Sequence, residues 1–186
     1  MTADEATVTV IDALDQAVIP FLIVGSLAST FYGIPRATRD ANYLTQIGPA
    51  SIAALAAALP GKLHLDPQAA FETVAGTTRY LVTLRKSPFV CELFMCGDDP
   101  HDAARFARRR RVRVLDREVF MATAEDMIVT KLRWAALANR LKDRDDVRNM
   151  IAVRGADLDW AYIERWSGAH DTLGLLGAIR DSIPPG

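Results

Sequence analysis

The stretch that decides the fold is Phe21-Leu22-Ile23-Val24-Gly25-Ser26, four apolar residues closed by a glycine and a serine. A short apolar run that ends at glycine predicts a buried strand, and residues 27–32 predict a compact helix that ends before Gly33. A helix that begins directly after a strand presents free backbone N–H groups, which can bind phosphate. Gly25 and Ser26 are therefore candidate phosphate-binding residues, although strand–glycine–helix corners also occur without a ligand.

A second predicted strand, residues 39–45, carries Asp40 and Asn42 two positions apart. Alternate residues of a strand project from the same face, so both side chains point the same way. Oxygen ligands at this spacing can share a hard cation such as Mg²⁺, which prefers oxygen ligands in octahedral geometry. The alternative interpretation is that Asp40 only ends a loop and Asn42 faces solvent.

The rest of the chain predicts mixed helices and strands up to about residue 121 and only helices after it. We expect an α/β (α+β) fold, with a small mixed sheet flanked by helices in residues 1–121 and a C-terminal helical bundle, residues 122–186, packed on that core. Thr123-Ala124-Glu125-Asp126 is a capping-box signature at the start of the bundle. The further predicted segments are helices at 8–17, 52–59, 67–74, 123–138, 141–153, 158–167 and 173–182, strands at 80–84 and 89–95, and two short strands within 112–121.

Composition excludes several classes of protein. The chain has 186 residues, with 22 Lys+Arg against 23 Asp+Glu, and this balance excludes a histone-like basic protein and an acidic disordered one. No apolar run approaches the roughly 20 residues of a membrane span. The only two cysteines, Cys91 and Cys96, are too few for a disulfide framework or, alone, for a zinc site. The acidic N-terminus lacks a signal-peptide layout, so we expect a cytoplasmic protein.

Together, the Gly25-Ser26 corner and the Asp40-x-Asn42 pair resemble the Gly-Ser … Asp-x-Asp signature of the nucleotidyltransferase superfamily. The resemblance is closest to small prokaryotic proteins related to abortive-infection toxin nucleotidyltransferases. It covers about residues 18–168, and its motifs occur in the family's order. The further motifs are Gly33-Ile34-Pro35-Arg36-Ala37-Thr38-Arg39-Asp40, Cys91-Glu92-Leu93-Phe94, a helix from Thr123 through Arg133, and Lys142-Asp143-x-x-Asp146-Val147.

The resemblance implies a phosphate site and a metal site. Gly25 and Ser26 would hold the β- and γ-phosphates of a nucleoside triphosphate. In the family that the chain resembles, three carboxylates on neighbouring strands bind two Mg²⁺ ions. Asp40, Asn42 and Glu92 would be these catalytic positions, and the Mg²⁺ or Mn²⁺ would be weakly held without nucleotide.

The resemblance also implies accessory contacts around that site. Lys131 would reach the triphosphate, and Arg36 and Thr38 would orient the first carboxylate or touch phosphate. Asp143 and Asp146 would lie near the active-site cleft. Without the resemblance, Lys131 would be interpreted as a surface lysine and the two aspartates as part of a solvated salt-bridge face.

The activity that the resemblance implies is Mg²⁺-dependent transfer of a nucleoside monophosphate to a hydroxyl of RNA, of a protein or of a small molecule. Two of the three metal positions depart from the family's aspartates. Glu92 keeps the charge, whereas Asn42 loses it, so the three positions carry a net charge of −2 instead of −3 and predict weaker Mg²⁺ binding. The alternatives are a catalytically inactive nucleotide- or RNA-binding module and a toxin–antitoxin type partner whose pocket is vestigial.

Arginines dominate residues 105–113 and form the only large patch of one charge. Such a patch could contact the phosphates of RNA, and the alternative is a solvated flank. The six arginines are Arg105, Arg108, Arg109, Arg110, Arg111 and Arg113. We expect the tryptophans Trp134, Trp160 and Trp166 in the core, and no zinc site or catalytic triad among the scattered histidines His64, His101 and His170.

Overall fold

The computed structural model describes residues 1–72 and 76–184, which form one mixed sheet with helices packed around it. The helices are α1 Ala3–Gln16, α2 Gly25–Tyr32, α3 Pro49–Ala58, α4 Pro100–Arg108, α5 Ala124–Ala138, α6 Leu141–Arg154, α7 Trp160–Ala169 and α8 Leu173–Asp181. The strands are β1 Phe21–Val24, β2 Asp40–Thr45, β3 Leu63–Leu65, β4 Ala70–Glu72, β5 Thr77–Leu84, β6 Val90–Met95, β7 Arg110–Val114 and β8 Arg117–Met121. The predicted fold class, a small mixed sheet flanked by helices, is confirmed.

The centre of the sheet, formed by β6, β2 and β1, positions the candidate residues. The strand order is β3-β5-β6-β2-β1-β8-β7, and β4 also pairs with β5. Strand β2 runs antiparallel to β1 and parallel to β6. All four residues of β1 are buried, as a continuous apolar run in the middle of a sheet predicts.

Helix α5 is the central helix of the C-terminal part and contacts α2, α6, α7 and α8. It begins after Thr123, whose hydroxyl accepts a hydrogen bond from the backbone N–H of Asp126 at 3.2 Å. The carboxylate of Asp126 accepts hydrogen bonds from the hydroxyls of Thr123 (2.7 Å) and Tyr162 (2.6 Å). The predicted N-cap at Thr123 is therefore present, but the reciprocal half of a capping box is not, because the Asp126 carboxylate accepts from two hydroxyls and ties α5 to α7. The domain division at residue 121 stays a prediction.

The helix predicted for residues 67–74 is wrong where the structure describes it, and residues 73 and 74 lie outside the described residues. Ala70–Glu72 forms β4, which pairs antiparallel with β5 in the register Ala70↔Arg79 to Glu72↔Thr77. The alanines in this segment favour a helix, but hydrogen bonding to the edge of β5 overrides that weak local preference. Strand β3 is missed for a related reason, since its three residues are too few to show an alternating pattern.

A helix must be both long and apolar to cross a membrane. Among the helices of the described residues, none is both long enough and apolar enough to cross a membrane.

Candidate functional site

The sheet places three predicted site residues side by side on one face. Asp40 and Asn42 alternate on β2, and the parallel register sets Asn42 directly beside Glu92 of β6. On the other side of β2, Asn42 is opposite Val24, the last residue of β1. The chain then enters α2, so Gly25 and Ser26 lie next to the same group of polar side chains.

Gly25 occupies a position that only glycine fits. Its φ of +63° lies in the left-handed region, and a Cβ at this residue would lie 2.7 Å from the Cβ of Asn42. The preceding residue, Val24, makes no side-chain cap to α2. Gly25 therefore lets β1 turn sharply into α2 and brings the N-terminus of this helix against β2.

Glu92 has a partner at each carboxylate oxygen. The guanidinium Nε of Arg79 lies 3.3 Å from Oε1. The amide of Asn42 is assigned from its neighbours with its nitrogen towards the carboxylate. In that orientation it donates to Oε2 at 3.2 Å and to the backbone carbonyl of Ala41 at 3.3 Å. Burial raises the pKa of Glu92, and the charge of Arg79 opposes that rise while Asp40 adds to it.

The side chains of Asp40, Asn42 and Glu92 do not fit an arrangement in which three carboxylates bind two cations. Asn42 acts as a hydrogen-bond donor beside Glu92, and Glu92 already carries an ion pair with Arg79. Within residues 1–72 and 76–184, no group of three or more His, Cys, Asp or Glu side chains could hold a metal ion. Asp40 differs from Glu92, because its described contact is with the hydroxyl of Thr38, which donates to Oδ1.

A largely buried ionic network joins the Gly25-Ser26 corner to the C-terminal helices. Arg36 donates from Nε and Nη2 to the two carboxylate oxygens of Asp146, at 2.8 Å each, and from Nη2 to the hydroxyl of Ser26 at 3.2 Å. Lys131 contacts Asp143 at 2.8 Å and Asp146 at 2.7 Å. Burial by itself raises the pKa of Asp146, but the hydrogen bond from Arg36 and the charge of Lys131 outweigh it and hold that pKa below its ordinary value.

The network overturns two interpretations based on residue type alone. Lys131 is not a surface lysine, and Asp143 and Asp146 are not on a solvated face, because all three residues are buried. The short spacing of Asp143 and Asp146 on α6 brings both carboxylates to one ammonium group. Contact between Lys131 and phosphate stays a prediction.

Ser26, Lys131 and Asp143 of this network line a cleft of about 370 Å³ between the sheet and α5, whereas Arg36 and Asp146 lie behind that lining. One wall is apolar and aromatic: Phe94 and Trp134 meet edge to face at 5.7 Å, and Arg140 lies 5.0 Å from the Trp134 ring. The expectation that Trp134 belongs to the core is therefore only half right, since it is partly buried and also lines the cleft. The charged lining is balanced, with five acidic and five basic side chains: Asp40, Glu72, Glu92, Asp102 and Asp143, and Arg79, Arg105, Lys131, Arg140 and Lys142.

Sequence reasoning missed Arg79, Arg105 and Arg140 as cleft residues. Arg79 lies one residue before the predicted strand 80–84, and only the pairing of β5 with β6, which sets Leu81 opposite Glu92, places it on the face of Glu92. Arg105 had no signal in the sequence, because only the packing of α4 on α5 brings it to the cleft, where it donates to Thr130 at 3.2 Å.

The arginine run does not form one patch. Arg105 is buried and pairs with Asp102, and Arg108 stacks on the ring of Tyr162 at 3.9 Å. Arg111 and Arg113 lie exposed on the edge strand β7. The change from α4 to β7 within the run sends its side chains to different faces of the protein.

Two of the histidines that are scattered in sequence meet in the fold. The rings of His101 and His170 are 5.5 Å apart, and His101 Nε2 lies 3.3 Å from Asp126 Oδ1. Burial lowers the pKa of His170, although Asp99 opposes the shift from 3.4 Å away. None of these groups lines the cleft as the structure describes it, and their contacts join α4 to α5 and to the C-terminal end of α7.

Comparisons with known proteins identify the fold. No family model matches the chain, and no curated protein matches it significantly. The solution structure of the antibiotic-resistance factor ANT(2'')-Ia has a TM-score of 0.60 and 15% identity, over 96% of this chain and 95% of that one. The crystal structure of ANT(2'')-Ia in complex with adenylyl-2''-tobramycin has a TM-score of 0.58 and 14% identity, over 92% of this chain and 98% of that one.

A third structure extends this likeness. An antigenic nucleotidyltransferase-like protein from Paracoccidioides brasiliensis has a TM-score of 0.52 and 14% identity, over 96% of this chain and 93% of that one. At these identities the likeness concerns the fold, and it confirms the one that the motifs indicate: the chain has the fold of the nucleotidyltransferase superfamily.

Proposed function

We propose that this protein transfers a nucleoside monophosphate from a nucleoside triphosphate to a hydroxyl acceptor and releases pyrophosphate. One observation carries the proposal: a single cleft combines the glycine corner at the start of α2 with the carboxylates of Asp40 and Glu92 on adjacent strands. Phosphoryl-group transfer depends mainly on positioning and on electrostatic stabilisation, and this arrangement can supply both.

Phosphate binding is assigned to the N-terminus of α2. The backbone N–H groups at Gly25 and Ser26, with the Ser26 hydroxyl, donate to phosphate oxygens. Arg36 holds that hydroxyl from the opposite side and is itself fixed by Asp146. Lys142, which is exposed at the mouth of the cleft, adds positive charge where a triphosphate would enter.

Asp40 is the residue we assign to a divalent cation. Asp40 would hold one Mg²⁺ or Mn²⁺, weakly in the absence of nucleotide, and the ion would supply positive charge to the triphosphate. Thr38 orients the carboxylate by donating to Oδ1. Glu92 accepts the proton of the attacking hydroxyl, a role that its raised pKa favours.

The acceptor is proposed to be a small molecule. A volume of about 370 Å³ lies within the usual range of small-molecule pockets, and the Phe94–Trp134 wall provides an apolar surface for one. One structural neighbour is complexed with an adenylylated small molecule, adenylyl-2''-tobramycin. The balanced charge of the cleft lining favours an acceptor of low net charge, and the dispersal of the arginines does not favour RNA.

A second candidate function is nucleotide binding without transfer. It is favoured by Asn42, which donates to Glu92 instead of supplying a third carboxylate. In that case Asp40 and the glycine corner would serve binding alone.

A transfer assay separates the two functions. The protein is incubated with each α-labelled nucleoside triphosphate, Mg²⁺ or Mn²⁺, and one of three acceptor pools: small hydroxyl compounds, total RNA or protein. We expect label transfer to a small compound with release of pyrophosphate. The Asp40→Asn variant should lose transfer, and Asp145→Asn, at an exposed position on α6 outside the cleft, should retain it.

Nucleotide binding without transfer in any pool would favour the binding module, and absence of nucleotide binding would refute both functions. Label in RNA or protein alone would refute the proposed acceptor class.

A further inference from the structure

The unusual feature of the cleft is a positively charged side chain, Arg79, beside Glu92, the third of the predicted metal-binding positions. Arg79 reaches Glu92 Oε1 from β5 while Asn42 donates to Oε2 from β2, so both oxygens of this carboxylate face donors. The side chains of Arg79 and Glu92 are only 24% and 21% exposed, which limits screening of the pair by water.

The pairing of the strands places Arg79 beside Glu92. Antiparallel pairing of β5 with β6 sets Leu81 opposite Glu92 and Arg79 opposite Phe94. Residues two apart share a face, so Arg79 is the diagonal neighbour of Glu92, within reach of a long side chain. Its guanidinium also lies 5.7 Å from the Phe94 ring, which supports it from the apolar side.

We propose that the guanidinium of Arg79 supplies the positive charge beside Glu92 in place of a second divalent cation, so that the cleft binds one such ion, at Asp40. The inference rests on the proposed function and adds a residue to its machinery. Asp40 and Glu92 carry two negative charges and Arg79 one positive charge, which leaves this group at −1. A guanidinium remains charged at every physiological pH, so this neutralisation is permanent.

Asn42 is part of the same arrangement. An aspartate at this position would place a second carboxylate beside Glu92, where it would attract a cation. The amide instead donates to Glu92 and holds the carboxylate in the orientation that Arg79 meets. The inference therefore accounts for an amide at Asn42, because Asn42 and Arg79 contact the same carboxylate within one cleft.

Two double variants test the inference through metal binding alone. Asn42→Asp with Arg79→Gln creates three carboxylates without the cation, and Asn42→Asp with Arg79→Lys keeps the positive charge. With Mn²⁺ as the only ligand, followed by the paramagnetic resonance signal of the free ion, we expect the Gln variant to bind at least about tenfold more tightly than the Lys variant. Equal affinities would overturn the inference.

A charge-matched control and a nucleotide arm complete the design. Lys62→Gln with Arg85→Gln lowers the net charge by the same two units as Asn42→Asp with Arg79→Gln, at exposed positions outside the cleft, and it should leave Mn²⁺ affinity at the wild-type value. A gain equal to that of the Gln variant would overturn the inference, because total charge alone would then explain it.

With non-hydrolysable α,β-methylene ATP, the wild type should bind one Mn²⁺ for each nucleotide, and binding of two would also overturn the inference. Failure of the proposed function has a different signature. It would appear as absence of nucleotide transfer by the wild type, while the comparison of the two double variants in Mn²⁺ alone still decides the role of Arg79.

Discussion

Replacement of Lys131 by methionine tests the buried network most directly. The ammonium contacts Asp143 at 2.8 Å and Asp146 at 2.7 Å, and the three side chains are 7%, 4% and 5% exposed, respectively. Methionine keeps most of the apolar stem that packs in α5 and removes only the charge. The variant therefore leaves two buried carboxylates with one cation fewer.

The expected loss in the free energy of unfolding depends on the ion pairs that the two carboxylates keep. Breaking a buried ion pair by removing one partner costs about 3–5 kcal/mol, because the other charge stays buried. Arg36 still holds Asp146, and Arg140 still contacts Asp143 at 3.0 Å, so we expect the lower end, about 3 kcal/mol. For a protein of this size each kcal/mol lowers the melting temperature by roughly 2–4 °C, so the fall should be about 6–12 °C.

Urea unfolding and thermal unfolding measure these two quantities. Lys142→Met is the matched control, since it removes the same charge from an exposed position on α6 and should change the free energy of unfolding by less than about 0.5 kcal/mol. A loss below about 1 kcal/mol for Lys131→Met would refute the reasoning, because it is the value expected for an exposed ion pair.

The further predictions concern Gly25, Glu92 and Asp146. Gly25→Ala should weaken nucleotide binding at least about tenfold in calorimetry, through its left-handed backbone and the missing space for a Cβ, and Gly61→Ala, which has open space, should not. Glu92→Gln should lower transfer by about 100- to 10,000-fold with little change in nucleotide affinity. Since the pKa of Glu92 is raised, the transfer rate of the wild type should begin to fall, as the pH is lowered, at a higher pH than it would with an ordinary glutamate. A transfer rate that is independent of pH down to about 4 would contradict this. The pKa of Asp146 is lower in the folded protein than in the unfolded chain, where it is about 3.9. Its ionised form therefore stabilises the fold above that pH, and this stabilisation is lost as the pH falls below about 3.9. Urea midpoints from pH 6 to 3 should therefore fall more steeply for the wild type than for Asp146→Asn, and equal slopes would contradict the assignment.

Much of the fold is predictable from local patterns in the sequence. The apolar run at β1, the alternation at β2 and the cap at Thr123 each lie within a few residues, and the structure places elements at all three. The two-residue spacing of Asp40 and Asn42 likewise establishes that they share a face, since it depends only on the period of a strand. Local patterns fail at β4, where pairing with a distant strand edge overrides helix preference.

The composition of the candidate site is decided by contacts between distant segments. Residue type alone predicts a solvent-exposed Lys131, but α5 and α6 pack together and bury it between two carboxylates. Residue type alone also makes Asn42 a weakened metal ligand, and only the parallel register of β2 and β6 shows it as a donor to Glu92. The sequence by itself determined strands β1 and β2, the glycine corner and the order of the motifs, because these depend on neighbouring residues. Only the tertiary structure decided which charges meet, because an ion pair depends on the distance between side chains in space and not on their separation along the chain.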